Sequence, residues 1–331
     1  MNEVKYGILH FLLQTYVIFG RLTGGVTSAP APVEIAKGND GLEKVILRHV
    51  RGSSAEIYLY GGQVTSWKNK HGEELLFLSS KALFTPPKPI RGGIPLCFPQ
   101  FSNLGPLASH GFARNRLWMI DPSPPPLSTN SPKETSVNLI LKPTEEDLKI
   151  WPHRFEYRLR VTLGPSGNLM LTSRVRNTDA KPFTFTFAYH AYFSVSDIRE
   201  VRVEGLEKLD YLDNLKNRTR FTEQGDAVAF ESEVDRIYLT TPPKVAILDN
   251  GRSRTFTVRK DGLPDAVVWN PWEEKAKTIS DLGDGEYKIM VCVEASAIEK
   301  PIALNPGQEW TGKLDLSSSH PRDPRVVLRG D

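Results

Sequence analysis

The sequence predicts an all-β protein, a sandwich or barrel, on three observations. Short runs of β-branched and aromatic residues recur along the chain, Gly, Pro, Asn and Asp punctuate them at close intervals, and helical periodicity is weak throughout. At 331 residues the chain exceeds the usual single-core length of about 250, yet a large β-sandwich reaches that size as one unit, so one domain or two is allowed.

Taken in order, residues 1–38 read as an N-terminal extension, disordered or targeting, closed by the Pro-rich stretch Ala29-Pro30-Ala31-Pro32. Within it Gly7 to Phe19 (GILHFLLQTYVIF) follows Lys5 and precedes small residues, the order of a signal peptide. His10 and Gln14 interrupt the apolar run, and Pro30 and Pro32 crowd any cleavage point. A cytoplasmic location is therefore the expectation, with secretion or another route through residues 1–28 as the alternative. No stretch reaches the roughly 18 apolar residues of a membrane span.

Residues 39–316 hold the expected β-domain. Its strand candidates are Val45 to Leu47, Glu56 to Leu59, Val64 to Trp67, Phe155 to Leu163, Leu169 to Val175, Phe183 to Phe193, Val267 to Asn270 and Tyr287 to Val293. Asp121 to Lys142, with five prolines among many Ser and Thr, reads as an exposed excursion dispensable for chemistry. A turn or two of helix is expected over Thr144 to Lys149. Residues 317–331 lack apolar periodicity and read as a tail.

Lys and Arg number 42 against 39 Asp and Glu, and the charges are interspersed, so no run tracks a phosphate backbone and nucleic acid is not an expected partner. Cys97 and Cys292 each sit in an apolar stretch and read as small buried hydrophobes, with neither a disulfide framework nor a metal cluster. Asn217-Arg218-Thr219 is a formal glycosylation sequon, a triplet too common by chance to decide the compartment.

Chemistry concentrates in three places. In FTFTFAYHAYF (183–193), period-2 alternation puts Phe183, Phe185, Phe187 and Tyr189 on one face and Thr184, Thr186, Ala188, His190 and Tyr192 on the other. The second face suits a pocket floor, although a hydrogen-bonded core histidine would also produce this pattern. Glu294 ends the apolar run Ile289 to Val293; either it is buried, with its pKa raised into a useful range for proton transfer, or it lies just past the strand in solvent. In Pro89 to Arg114, Gly92-Gly93 and Gly105-Pro106 demand turns, placing Arg91, His110 and Arg114 on or beside loops, with Arg suited to gripping phosphate.

Six segments together resemble the aldose 1-epimerase (galactose mutarotase) superfamily, in particular its glucose-6-phosphate 1-epimerase branch. They are RGGIPLCFPQF (91–101), HGFARNRLW (110–118), FAYHAYF (187–193), EVDRIY (233–238), PDAVVWNPW (264–272) and VCVEA (291–295), in the family's order and spacing over about residues 40–315. The resemblance implies a large antiparallel β-sandwich with the substrate on a broad concave face. It assigns Glu294 as general base and His190 as general acid, His110 to the sugar site, Asp235 to sugar hydroxyls, and Arg91 and Arg114 to the substrate, favouring a 6-phosphate over a free sugar. Ser109 departs from the pattern, since some relatives carry a substrate-contacting Gln there.

The implied reaction opens and re-closes a hexose 6-phosphate hemiacetal through Glu294 and an imidazolium at His190, with no metal or other cofactor. A small-molecule sugar phosphate is the expected partner of an expected monomer. Rival readings are an epimerase of free sugars, a non-catalytic carbohydrate-binding module, a glycoside hydrolase pairing Glu294 with Asp235 or Asp265, and a sugar sensor. Trp269 and Trp272 suit either sugar stacking or packing.

Overall fold

The computed structural model describes residues 31–125 and 134–320, and every strand pairing named here is antiparallel. Strands dominate because the expected alternation is real: Phe155–Leu163 and Leu169–Asn177 bury every second side chain. Among the described residues there are only two short α-helices, Glu145–Ile150 and Trp272–Lys277. Thr144 starts the first with a capping box: its hydroxyl accepts from the Asp147 amide, and the Asp147 carboxylate accepts from the Thr144 amide.

Three sheets form the body. A four-stranded sheet runs Val33–Lys37, Glu43–Arg48, Ser54–Tyr58 and Gln63–Lys68. A nine-stranded sheet has Arg254–Asp261, Glu309–Ser319, Leu169–Asn177 and Phe155–Leu163 at its centre. An eight-stranded sheet is ordered Thr219–Thr222, Asp210–Asp213, Val234–Tyr238, Asp265–Asn270, Met290–Leu304, Phe183–Tyr189 and Leu96–Cys97, with Tyr192–Ser194 paired beside Met290–Leu304. One apolar cluster joins all three, including Phe187, Tyr189, Val293 and Ala295 of the eight-stranded sheet and Leu159, Leu171, Phe256 and Leu314 of the nine-stranded one. The architecture is the large antiparallel sandwich implied by the motifs.

Several elements differ from the sequence expectation. Val33–Lys37 is a strand paired to Glu43–Arg48, so the folded unit begins near Pro32 and not at 39; the strand's outward side chains hid its role. The last strand runs to Ser319, opposite Thr255, past the expected end at 316. Residues 135–141 belong to no excursion: Thr135–Leu141 pairs with Phe155–Leu163 and buries Val137, Leu139, Ile140 and Leu141, while Ser136 and Asn138 alternate with the first two on the outward side. The N-terminal apolar segment, most of the expected tail and residues 126–133 lie outside the described residues.

The strand expected over 183–193 breaks at His190 and Ala191 into Phe183–Tyr189 and Tyr192–Ser194. Met290–Leu304 is longer than expected and does not end at Glu294; Ala295, Ser296 and Ala297 continue it. Its first nine residues are buried on both faces, because the core covers one side and loops cover the other.

Candidate active site

Strand register brings the sequence candidates onto one face. Tyr189 lies opposite Ala295 and Ala188 opposite Ser296, so the next step places His190 across from Glu294. On the neighbouring strand Glu294 faces Val267, and Cys292 is aligned with Trp269 and, one strand further, Asp235. Side-chain alternation sends Phe187, Tyr189, Val291 and Val293 into the core. His190, Cys292 and Glu294 therefore share the opposite face, and their ligating atoms lie within 4.8 Å of one another.

Loops wall this face. Gly92-Gly93 crosses the strand Gln63–Lys68 so closely that a Cβ on Gly93, where φ is +64°, would stand 2.2 Å from the Val64 carbonyl. Buried Gln63 donates to the carbonyls of Ile90 and Gly92 at 3.1 and 2.7 Å, pinning the loop that carries Arg91. From there the Arg91 guanidinium donates to Asp281 Oδ1 at 3.0 Å and to the Tyr192 hydroxyl at 3.1 Å. The Tyr192 ring stacks on His190 at 4.6 Å, and the Tyr192 hydroxyl stands 3.5 Å from His190 Nε2.

A second loop brings His110, at φ +66° in the left-handed region, to 5.3 Å ring-to-ring from His190. His110 Nδ1 accepts from the Ser102 amide at 3.2 Å, which puts the ring proton of the neutral form on Nε2. Burial, then the charges of Arg114 and Arg91, holds His110 down to about 3, so it is neutral at physiological pH. Cys97 Sγ lies 3.1 Å from the same Nδ1.

Glu294 is 1 % exposed and His190 6 %, so Glu294 occupies the buried alternative and not the solvent one. Desolvation, reinforced by Asp235, pushes the Glu294 carboxyl well above its usual range. Desolvation, reinforced by His110, Arg114 and Arg91, pushes the His190 imidazole well below its own. His190 Nδ1 stands 3.1 Å from Glu294 Oε1, but the two are misaligned for a hydrogen bond: Nδ1 and Glu294 Oε2 each lack a partner among the described residues. Burial thus favours a neutral imidazole beside a protonated carboxyl, one proton for the pair.

The other candidates separate by role. Half-buried Asp235 accepts from Asn214 at 2.7 Å, and burial raises its carboxyl. Ser109 is exposed and contributes its backbone carbonyl, which accepts from Arg114 at 2.9 Å. Buried Arg114 Nε lacks a hydrogen-bond partner among the described residues. Sequence reasoning missed Tyr192 and Asp281 as partners of Arg91, and Cys292 beside His190 and Glu294. Trp269 stands edge-on to His190 at 5.8 Å, on the site face, whereas Trp272 packs against Tyr287.

Fold and site together describe an antiparallel β-sandwich that gathers a buried imidazole, thiol and carboxyl on one sheet face, within the influence of Arg91 and Arg114. The family model described as aldose 1-epimerase matches residues 43–317, and the chain belongs to that family. A relative from Cenchrus ciliaris, named "Putative glucose-6-phosphate 1-epimerase", is 62 % identical over 310 residues, covering 91 % of this chain and 94 % of its own. A protein of the same name from Escherichia coli K12 is 30 % identical over 273 residues, covering 80 % and 87 %. The crystal structure of a "putative mutarotase" from Salmonella typhimurium superposes with a TM-score of 0.78 at 25 % identity, over 94 % of this chain and all of that one.

Proposed function

We propose that this chain interconverts the α and β anomers of a hexose 6-phosphate, glucose 6-phosphate first among them, with Glu294 and His190 as the proton-transfer pair. The observation that carries the reading is the 3.1 Å approach of His190 Nδ1 to Glu294 Oε1 on a face rimmed by Arg91 and Arg114. The names of the relatives supply the choice of hexose phosphate.

Ring opening takes the proton from the anomeric hydroxyl and delivers one to the ring oxygen as the C1–O5 bond breaks. The two oxygens share one carbon, so donor and acceptor must be neighbours, as these side chains are. Transfer of the pair's single proton from Glu294 to His190 generates a carboxylate base and an imidazolium acid with no change in net charge. Glu294 then takes the anomeric proton, His190 protonates O5, and the free aldehyde rotates about C1–C2 before both transfers reverse. Each positioned group contributes about 10²- to 10⁴-fold. His110, with its proton on Nε2, donates to a sugar oxygen, and Asp235 accepts from hydroxyls.

Asp281 already partners Arg91, which favours Arg114 as the principal phosphate grip and keeps a free aldose as the second reading. Anomer exchange measured by NMR on glucose 6-phosphate, glucose and galactose separates the two. Under the phosphate reading, Arg114→Ala loses about 1.5–3 kcal/mol, roughly ten- to a hundredfold in kcat/KM, on the phosphorylated sugar alone. Arg91→Ala behaves likewise, since it leaves Asp281 facing the phosphate. Equal losses on free glucose would give the site to unphosphorylated sugars.

A further inference from the structure

We propose that His190, Cys292 and Glu294 form an inhibitory site for a zinc-class divalent cation, so that the metal and the sugar compete for the same residues. This rests on the acid–base role of His190 and Glu294 above for its effect on turnover, but not for the binding itself. The three side chains offer one imidazole nitrogen, one sulfur and one carboxylate oxygen, all within 4.8 Å. A tetrahedral zinc with its usual nitrogen and sulfur bond lengths needs these atoms about 3.5 Å apart, so small rotamer shifts close the triangle.

Two further facts point to a ligand. His190 Nδ1 and Glu294 Oε2 are polar atoms on nearly fully buried residues, and neither has a hydrogen-bond partner among the described residues. Cys292 contributes nothing to the proposed proton transfers, yet its sulfur is on the reacting face and not in the main core. Thiolate with imidazole and carboxylate selects zinc, cadmium or cobalt over magnesium or calcium, and three protein ligands leave a fourth position open. On binding, M²⁺ replaces the Cys292 thiol proton and the proton of the His190–Glu294 pair, both of which pass to solvent. Because the ion displaces protons from its ligands, affinity rises with pH.

Cys97 beside His110, whose ring lies next to that of His190, is the competing metal locus. The experiment titrates the purified protein with Co²⁺, following the thiolate-to-cobalt absorption band, and with Zn²⁺, following anomer exchange of glucose 6-phosphate. The expected result is a cobalt–thiolate band and zinc inhibition competitive with the sugar, relieved by EDTA. Cys292→Ser and Cys292→Ala keep the basal rate but lose the band, and zinc inhibition weakens by roughly a hundredfold. Cys97→Ser leaves both intact. An undiminished band or full zinc sensitivity in both Cys292 variants, or loss of either in Cys97→Ser instead, overturns the proposal. A wild-type band that vanishes in Cys292→Ser, with no anomer exchange by the wild type, would uphold the metal site and reject the catalytic reading.

Discussion

At Glu294, the proposed proton transfer and the stability of the fold pull in opposite directions. The folded protein binds this proton more tightly than the unfolded chain, because burial penalises the carboxylate. The resulting stability is fully present below the unfolded pKa and is lost as pH rises through the raised folded value. Glu294→Gln keeps the shape but cannot take up the anomeric proton. Exchange should fall by about 10²- to 10⁴-fold, while thermal melting exceeds that of the wild type at alkaline pH and the gap narrows on acidification. NMR exchange and melts across pH test both halves; a variant that retains the wild-type rate would remove Glu294 from the chemistry. Residues of this kind were legible because a carboxylate closing the apolar run Ile289 to Val293, or an imidazole on the polar side of an aromatic strand, breaks a pattern. Tyr192, Asp281 and Cys292 broke none. A buried tyrosine, a loop aspartate and an apolar-flanked cysteine are ordinary residues whose roles come only from neighbours distant in sequence.

Backbone shape at the scale of single elements decides whether those side chains meet. Gly111 forms a bridge to Phe98 and holds φ at +70°, and an added Cβ would stand 2.3 Å from the Phe98 carbonyl oxygen. Backbone cannot yield as a flexible side chain does, so Gly111→Ala must shift His110, its neighbour in the same left-handed turn. The expected cost is about 1–3 kcal/mol, read by denaturant unfolding, with a fall in kcat/KM although no reacting group is lost. Wild-type stability and rate together would show that the turn is not strained. The sequence marked the neighbouring turns at Gly92-Gly93 and Gly105-Pro106, the helix start at Thr144 and the strands over 45–67, 155–175 and 267–293, but not Val201–Glu204, Val234–Tyr238, Lys244–Asp249, Arg254–Asp261 or Glu309–Ser319. It misplaced the strand over 135–141 because prolines and serines upstream masked its alternation. It also ran one strand through 183–193, whereas the break at His190 depends on Gly93 and Pro95 carbonyls accepting from Tyr192 and His190 across the sheet.

The order of three sheets is the part no local pattern contains, and the molecule secures it with a charge. Arg254, in the nine-stranded sheet, is 1 % exposed and is the most deeply buried cation of the described residues. Its guanidinium donates to Asp249 of the same sheet at 3.1 Å, to the Ser194 carbonyl of the eight-stranded sheet at 2.5 Å, and to Glu73 at 2.7 Å. Glu73 lies in the turn that follows the last strand of the four-stranded sheet. Asp249 is itself fully buried and accepts from the Ser196 amide and hydroxyl as well. A sequence reader sees one arginine among many, since its partners lie five, sixty and 181 residues away. Arg254→Met keeps the length and apolar stem while stranding a buried carboxylate, a change that typically costs about 3–5 kcal/mol. The loss should appear in denaturant unfolding, with kcat/KM of the folded fraction unchanged because no residue of the proposed acid–base pair touches Arg254. Asp249→Asn in the same background removes the stranded charge and should recover part of the loss. If the double variant is no more stable than Arg254→Met alone, the three sheets are held by their apolar faces and the ion cluster only fills the space between them.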